Sequence, residues 1–241
     1  MTPKNSERFL DAFVRIEQHL RRVANRENWI GFSSLVDEVA KKDAAVRNYR
    51  IKLKEYADLR NAIVHERIDG RPIAEPHDET VLDIEHIASI LLQPPRLAPS
   101  FLCEVTVCSP GDFIGTVAKT MVNNDFSQIP VYDNGQFRAM LTANTITRWI
   151  ASELESGIGL LEEKPVEEVL EFQEDNEACH FVKKDDTIFD VLEIFEKDSR
   201  AGKSLSAIII TGSGSRSEKP IGILTIADHP RLVRAINYGQ D

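Results

Sequence analysis

The sequence predicts an α+β chain: an N-terminal helical bundle over residues 1–92, a linker at 93–99, and a β-α-β-β-α unit built twice over 100–241. Three observations carry this. Apolar residues recur at helical spacing through the first part. Residues 93–99 read QPPRLAP, and three prolines in seven residues cannot continue a helix. Beyond them one pattern occurs twice, as QIPVYDNGQFRAMLTANTITRWI around Thr142 and SAIIITGSGSRSEKPIGILTIADHPRLV around Thr225. Each is an apolar strand, a polar turn, a second apolar strand, then Thr at the head of a helix. A matching helix precedes each, with Val117 and Met121 corresponding to Val191 and Phe195. A unit built twice makes one paired structure with a cleft between its halves.

In the first part, Phe9, Phe13, Ile16, Leu20 and Val23 form one stripe of a helix starting near Asn5. Ser34-Leu35-Val36-Asp37 reads as a capping box for a short second helix. Val46, Tyr49, Leu53, Tyr56, Leu59 and Ile63 make a third stripe, which Gly70-Arg71-Pro72 must end. Asp78 caps a fourth helix carrying Val81, Ile84, Ile87, Ala88 and Leu91. Four amphipathic helices with short connections predict a small bundle.

In the first repeat, about 100–156, residues 104–107 read as a strand, 113–122 as a helix and 129–132 as a strand. Asp133-Asn134-Gly135 is a hairpin turn, because Asn-Gly tolerates the positive φ that such turns need. The returning strand is 136–141, with a helix from about Ala143. The second repeat covers about 177–241, its pattern running from His180 to about Ile236. There a longer, flexible loop at 212–218 replaces the tight turn. Residues 162–176 between the repeats are acidic and read as a solvated linker with a short helix at Val166–Leu170. Gly202-Lys203-Ser204 looks like the end of a phosphate-binding loop. Lys197 holds the required first glycine position, however, and the helix-then-strand order is reversed.

Of the 241 residues, 42% are hydrophobic, so a sizeable core is available and global disorder is excluded. MTPKNSERF has no apolar h-region, and runs such as 87–92 and 207–210 are too short to span a bilayer. The expectation is a cytoplasmic protein with no membrane contact. Cys103, Cys108 and Cys179 form no even framework and lack metal spacing, so reduced thiols and no metal are expected. Net charge is −10, unlike a general nucleic-acid binder. Residues 1–72 nonetheless hold 15 Lys+Arg against 11 Asp+Glu, while the remainder holds 14 against 28. Only the N-terminal part suits a phosphate backbone, and Lys41, Lys42, Arg47, Arg50, Lys52 and Lys54 would form its basic approach or simply a solvated face.

The second repeat ends in Gly222-Ile223-Leu224-Thr225-Ile226-Ala227-Asp228, and the first in Ala139-Met140-Leu141-Thr142-Ala143-Asn144-Thr145. A Thr hydroxyl at a helix N-terminus caps the helix or bonds a phosphate, and the free N–H groups there favour anions. A carboxylate one turn on accepts hydrogen bonds from ribose hydroxyls, and an apolar strand such as 207–210 walls a flat ring. Residues 100–241 resemble a tandem pair of CBS domains, the modules named after cystathionine beta-synthase. That resemblance implies an adenosine-containing regulatory ligand: AMP, ADP, ATP, S-adenosylmethionine or NAD. It assigns Thr225 and Asp228 to the ligand, then Thr142, with Ile208 and Ile129 on the apolar walls. Thr145 stands where the first copy should present the ribose carboxylate. The nearby cations His180, Lys183, His229 and Arg231 are further phosphate candidates or ordinary surface residues.

The third helix reads Asp58-Leu59-Arg60-Asn61-Ala62-Ile63-Val64-His65-Glu66. Asn61 and His65 share a helix face, while Arg60 projects roughly 140° from His65. Arginine, a polar residue, three more, then histidine resembles the signature of HEPN domains (higher eukaryote and prokaryote nucleotide-binding). These are helical bundles, many of them metal-independent endoribonucleases that act as dimers. The resemblance implies that His65 moves a proton, Arg60 stabilises charge on phosphorus and Asn61 orients the group, leaving a 2′,3′-cyclic phosphate and a 5′-hydroxyl. The same residues fit a structural reading, with His65 as a cation at a helix C-terminus. The chain is thus expected to be an adenine-nucleotide sensor controlling an RNA-cleaving homodimer, or else a non-catalytic sensor that dimerises or binds a partner.

Overall fold

In the computed structural model, residues 4–25, 29–65, 67, 68, 71, 72, 74–156, 163–175 and 177–237 are described. The architecture is α+β, as the sequence predicts. The chain folds into two units. One holds the residues up to Pro95 with Thr187–Asp190 and the chain's end from Val233, the other Arg96–Asp186 and Val191–Leu232.

The first unit is built on α1 (Asn5–Ala24), α2 (Phe32–Val39), α3 (Ala44–Asn48), α4 (Arg50–His65) and α5 (Asp78–Leu92). The α1 stripe buries Phe9, Phe13, Ile16 and Leu20 against Val81, Ile84 and Ile87 of α5 and the inner faces of α2 and α4. Each such side chain contributes about 1.5–3 kcal/mol relative to exposure. The third stripe is two helices, not one. The Asp43 side chain caps α3 by accepting from Val46 N, and the backbone leaves helical geometry at Tyr49 before α4 begins. The Tyr49 ring meets Phe189 edge-on, 5.9 Å between centroids. Gly31, not a serine, stands at the head of α2, with Ser33 and Ser34 inside its first turn. Asp78 is likewise the first residue of α5 rather than its cap; His77 precedes it, and Asp78 accepts from the Asn5 amide at 2.6 Å. A hairpin of β1 (Arg67–Ile68) and β2 (Arg71–Pro72), which no periodicity announced, follows α4.

The second unit repeats one plan. In the first copy, α6 (Ile114–Asn123) precedes the antiparallel pair β3 (Gln128–Asp133) and β4 (Gln136–Thr142), and α7 (Ala143–Ser156) follows. Residues 104–107 do not ladder as expected; only Cys108 pairs, parallel to Val131. The turn carries positive φ at Asn134 (48°) and Gly135 (79°), as an Asn-Gly hairpin requires. In the second copy, β5 (Glu177–Lys183) runs parallel to β6 (Ser204–Thr211), which pairs antiparallel with β7 (Gly222–Leu224). Helix α9 (Ile188–Arg200) lies between β5 and β6 in the chain, and α10 (His229–Asn237) follows β7.

The segments leading into the two copies are exchanged. Leu97 and Ala98 donate backbone bonds to Asp186 and Lys184 of the second copy, and Cys103 N donates to Ile221 O. Reciprocally, Ile114 N donates to Lys164 O, and Val166 and Glu167 donate to Asp112 and Pro110 of the first copy. The helix α8 (Val166–Leu170) is therefore no solvated linker. Val166 and Val169 are completely buried in the first copy's core with Val117, Met121, Leu141 and Trp149. The copies also meet through Met140, Ala207 and Ile209, flanked by Phe137 and Phe181.

Candidate functional site

The two Thr-headed motifs differ in state. In the second copy, Thr225 stands ahead of a single 3₁₀ turn, Ile226–Asp228, and its hydroxyl accepts from Ala227 N at 3.2 Å. Asp228 Oδ2 accepts from Thr225 N at 2.9 Å and faces the Thr225 hydroxyl at 3.3 Å. Threonine and carboxylate thus form a reciprocal capping box, both half-buried. Both carboxylate bonds use Oδ2. The motif begins at Gly222 because the first copy's lead-in passes there: a Cβ would lie 2.7 Å from Phe101 O.

In the first copy, Thr142 is buried. Its Oγ1 accepts from Thr145 N at 3.0 Å, meets the Thr145 hydroxyl at 2.8 Å, and donates to Glu177 Oε1 at 3.3 Å. Thr145, at the position expected to face ribose, is fully buried and spends its hydroxyl inside this cluster. Glu177 Oε2 is buried without a hydrogen-bond partner. Burial raises the Glu177 carboxyl above its ordinary pKa, against the lowering effect of the Thr142 bond. A carboxylate therefore occupies the ground next to Thr142 where a phosphate was expected, and repels one.

The two expected apolar walls stand on different sheets. Ile208 is completely buried at the centre of its sheet, paired with His180 on one side and Leu224 on the other. Ile129 lines a cavity of about 440 Å³ with Thr106, Cys108, Asp112, Phe113 and Thr116. Three of the four cations named as phosphate candidates or surface residues make other contacts. His180 Nε2 meets the buried Asp198 Oδ2 at 2.6 Å. The His229 ring packs edge-on against Phe195 at 5.7 Å. Arg231 bonds Ser100 O and lies over Phe101, 4.6 Å from the ring centroid. The 212–218 loop, expected to be flexible, is tied by Ser213 N and Oγ to Glu218, each at 2.7 Å, and by Gly214 N to Thr211 Oγ1.

In the helical unit, Arg60 and Asn61 line one cavity of about 460 Å³, with Phe13, Trp29, Phe32 and Asp58. Arg60 Nη1 donates to Asn61 Oδ1 at 3.3 Å. The His65 side chain lies outside the described residues. Much of the basic stretch is internally paired: Arg50 and Lys54 with Asp37 at 2.6 and 2.7 Å, and Lys52 with Asp83 at 2.7 Å. Among the described residues no cluster of His, Cys, Asp and Glu could hold a metal ion, and no helix is long and apolar enough to cross a membrane.

Sequence reasoning missed Glu177 and Trp29. Glu177 meets Thr142 only through folding across 35 positions. Trp29 sits in a short loop where no periodicity exists to read, although an aromatic residue outside any stripe was itself a signal.

The CBS-domain family model matches residues 102–152 and 166–228. No curated protein matches the chain. Among solved structures, a CBS-domain-containing protein from Agrobacterium tumefaciens is similar at 18% identity and TM-score 0.38, covering 61% of this chain and 94% of that one. CBSX2, solved in complex with AMP, shows 16% identity and TM-score 0.42, over 57% and 96% of the two chains. The CBS domain pair of protein MJ0100, solved with 5′-methylthioadenosine and S-adenosyl-L-methionine, shows 19% identity and TM-score 0.40, over 59% and 98%. With the family match on both copies of a repeated strand-helix-hairpin plan, residues 102–152 and 166–228 form a tandem pair of CBS domains.

Proposed function

We propose that this chain is a regulatory protein whose CBS pair binds an adenosine-containing ligand through Thr225 and Asp228 and thereby controls the helical unit. The observation that carries this is the half-buried Thr225–Asp228 box, with a hydroxyl, a carboxylate and first-turn N–H groups together. In this reading Asp228 takes ribose hydroxyls and Thr225 takes phosphate or its equivalent. The buried Thr142–Thr145–Glu177 cluster supports a single binding motif, the second. AMP, ADP, ATP, S-adenosylmethionine and NAD share the contacts invoked.

The helical unit is the output. Its HEPN-like signature supports metal-independent RNA cleavage, with Arg60 stabilising phosphoryl charge, Asn61 orienting it and His65 moving the proton. The shared cavity of Arg60 and Asn61 supports that assignment. A homodimer is part of the proposal. Val122 on α6 and Leu154 on α7 are 80% and 62% exposed, which suits a partner surface. Ligand shifts the pair only by its differential affinity for two arrangements. The test is cleavage of a ribo-oligonucleotide with and without AMP, ATP or S-adenosylmethionine, in wild type and His65→Ala. Ligand-sensitive cleavage lost in the variant is expected; equal activity in both proteins overturns the ribonuclease assignment.

The internal pairing of Arg50, Lys52 and Lys54 favours a second reading. There the helical unit is a non-catalytic dimerising or partner-binding module, and nucleotide binding proceeds without RNA turnover.

A further inference from the structure

Trp29 is 81% exposed, the largest apolar side chain left in water among the described residues. It stands on the rim of the Arg60–Asn61 cavity. An exposed indole at the mouth of a concave site supplies a flat stacking surface and a large area to bury. Two further aromatic rings line the cavity, Phe13 and Phe32, packed with centroids 4.4 Å apart. The walls carry polar groups of both kinds. Asp58 and Glu17 are acceptors, and both bonds that Glu17 receives from Arg21 go to Oε1, leaving Oε2 for another donor. Ser33, Ser34 and Asn61 add hydroxyl and amide groups. At about 460 Å³ the cavity falls in the range of small-ligand sites.

These features sort by chemistry. Two carboxylates disfavour a free phosphate inside the cavity, but accept well from the N–H donors along the edge of a nucleobase. Single-stranded RNA is recognised in this way, with splayed bases stacked on aromatic rings and hydrogen-bonded along their edges; bases held in a duplex cannot enter. Arg60, on the same cavity wall, is the group suited to the adjoining phosphate.

We infer that the Trp29 cavity seats one unpaired purine of a single-stranded RNA, stacked on the indole with its amino edge toward Asp58 and Glu17. This rests on reading the helical unit as the RNA-facing one, and specifies what it accepts: an unpaired base rather than a duplex. The purine is chosen because its two rings cover the indole most fully and its edge offers amino donors to the acids.

Base–aromatic stacking is worth about 1–3 kcal/mol by alanine substitution, or roughly 5- to 150-fold in affinity. The probe is a fluorescent 2′-O-methylated hexa-adenylate, which cannot be cleaved through its 2′-oxygen. Its anisotropy is read with wild type, Trp29→Ala and Trp29→Phe on the full chain. The expected result is quenching of the exposed indole emission in wild type, roughly 5- to 150-fold weaker binding by Trp29→Ala, and near-wild-type binding by Trp29→Phe. A hexa-uridylate and a duplex should bind weakly. Equal binding by wild type and Trp29→Ala, or equal binding of duplex, overturns the inference. The two proposals separate cleanly. His65-dependent cleavage that Trp29→Ala leaves intact removes the base seat and keeps the ribonuclease. Trp29-dependent binding without cleavage keeps the base seat and removes the ribonuclease.

Discussion

Gly222→Ala tests whether the exchange of lead-in segments holds the second repeat together. The new Cβ would lie 2.7 Å from Phe101 O and 2.9 Å from Ile210 Cδ1, both inside van der Waals contact. Neither neighbour gives way cheaply. Phe101 N is bonded to Leu97 O at 2.9 Å, and two residues on Cys103 N is bonded to Ile221 O at 3.0 Å. Ile210 is fully buried. Overpacking of this kind costs about 1–3 kcal/mol. The loss of glycine's freedom in the unfolded chain offsets about 0.4–1 kcal/mol of that. A net destabilisation of about 1–2 kcal/mol lowers the melting temperature by roughly 2–8 °C for a chain of this size. Thermal unfolding followed by circular dichroism reads it, with Ala139→Gly as the companion variant at the matching position of the first copy. There an alanine Cβ is already accommodated, and the substitution costs only the roughly 0.5–1 kcal/mol typical of a strand glycine. A melting temperature unchanged or raised in Gly222→Ala would refute the reasoning.

Three further outcomes are expected. Asp228→Ala removes the acceptor of the Thr225 N–H; it should cost about 1 kcal/mol in chemical denaturation and abolish any thermal shift by an adenosine ligand. Glu177→Gln should raise the melting temperature at pH 7.5, because burial lifts the native carboxyl above its ordinary 4.5 and charging it opposes folding. That advantage should fade as pH falls through the raised native value and vanish below 4.5; a gain independent of pH would contradict the assignment. Tyr56→Phe removes the hydroxyl bond to Asp83, whose other oxygen keeps Lys52 at 2.7 Å, so a loss of about 1 kcal/mol with unchanged secondary structure is expected by urea unfolding.

Local chemistry made some of this structure legible in advance. The Asp133-Asn134-Gly135 turn was readable because only particular residues tolerate two successive positive φ values, and Asn134 and Gly135 adopt them. The α1 stripe was readable because twenty residues give periodicity room to show. Helix α8 was read in its true place, Val166–Leu170, but its burial was missed, because the acidic Glu167 and Glu168 mask the two valines that fill the neighbouring core. The third stripe was read as one helix because the break at Tyr49 does not disturb the apolar spacing. The site divides in the same way. Thr225 and Asp228 lie three residues apart, so sequence places them together. The Glu177 carboxylate reaches Thr142 from 35 positions away, and the Trp29 rim meets Arg60 through folding alone.

Calorimetric titration of the wild-type chain with AMP, ATP and S-adenosylmethionine, repeated on Asp228→Ala, tests the central proposal most directly. At least one compound should bind wild type with one site per chain, and lose roughly 10- to 150-fold in the variant, the value of a hydrogen bond to a charged acceptor of about 1.5–3 kcal/mol. Binding of equal strength to both proteins, or no heat from any of the three with wild type, would contradict it.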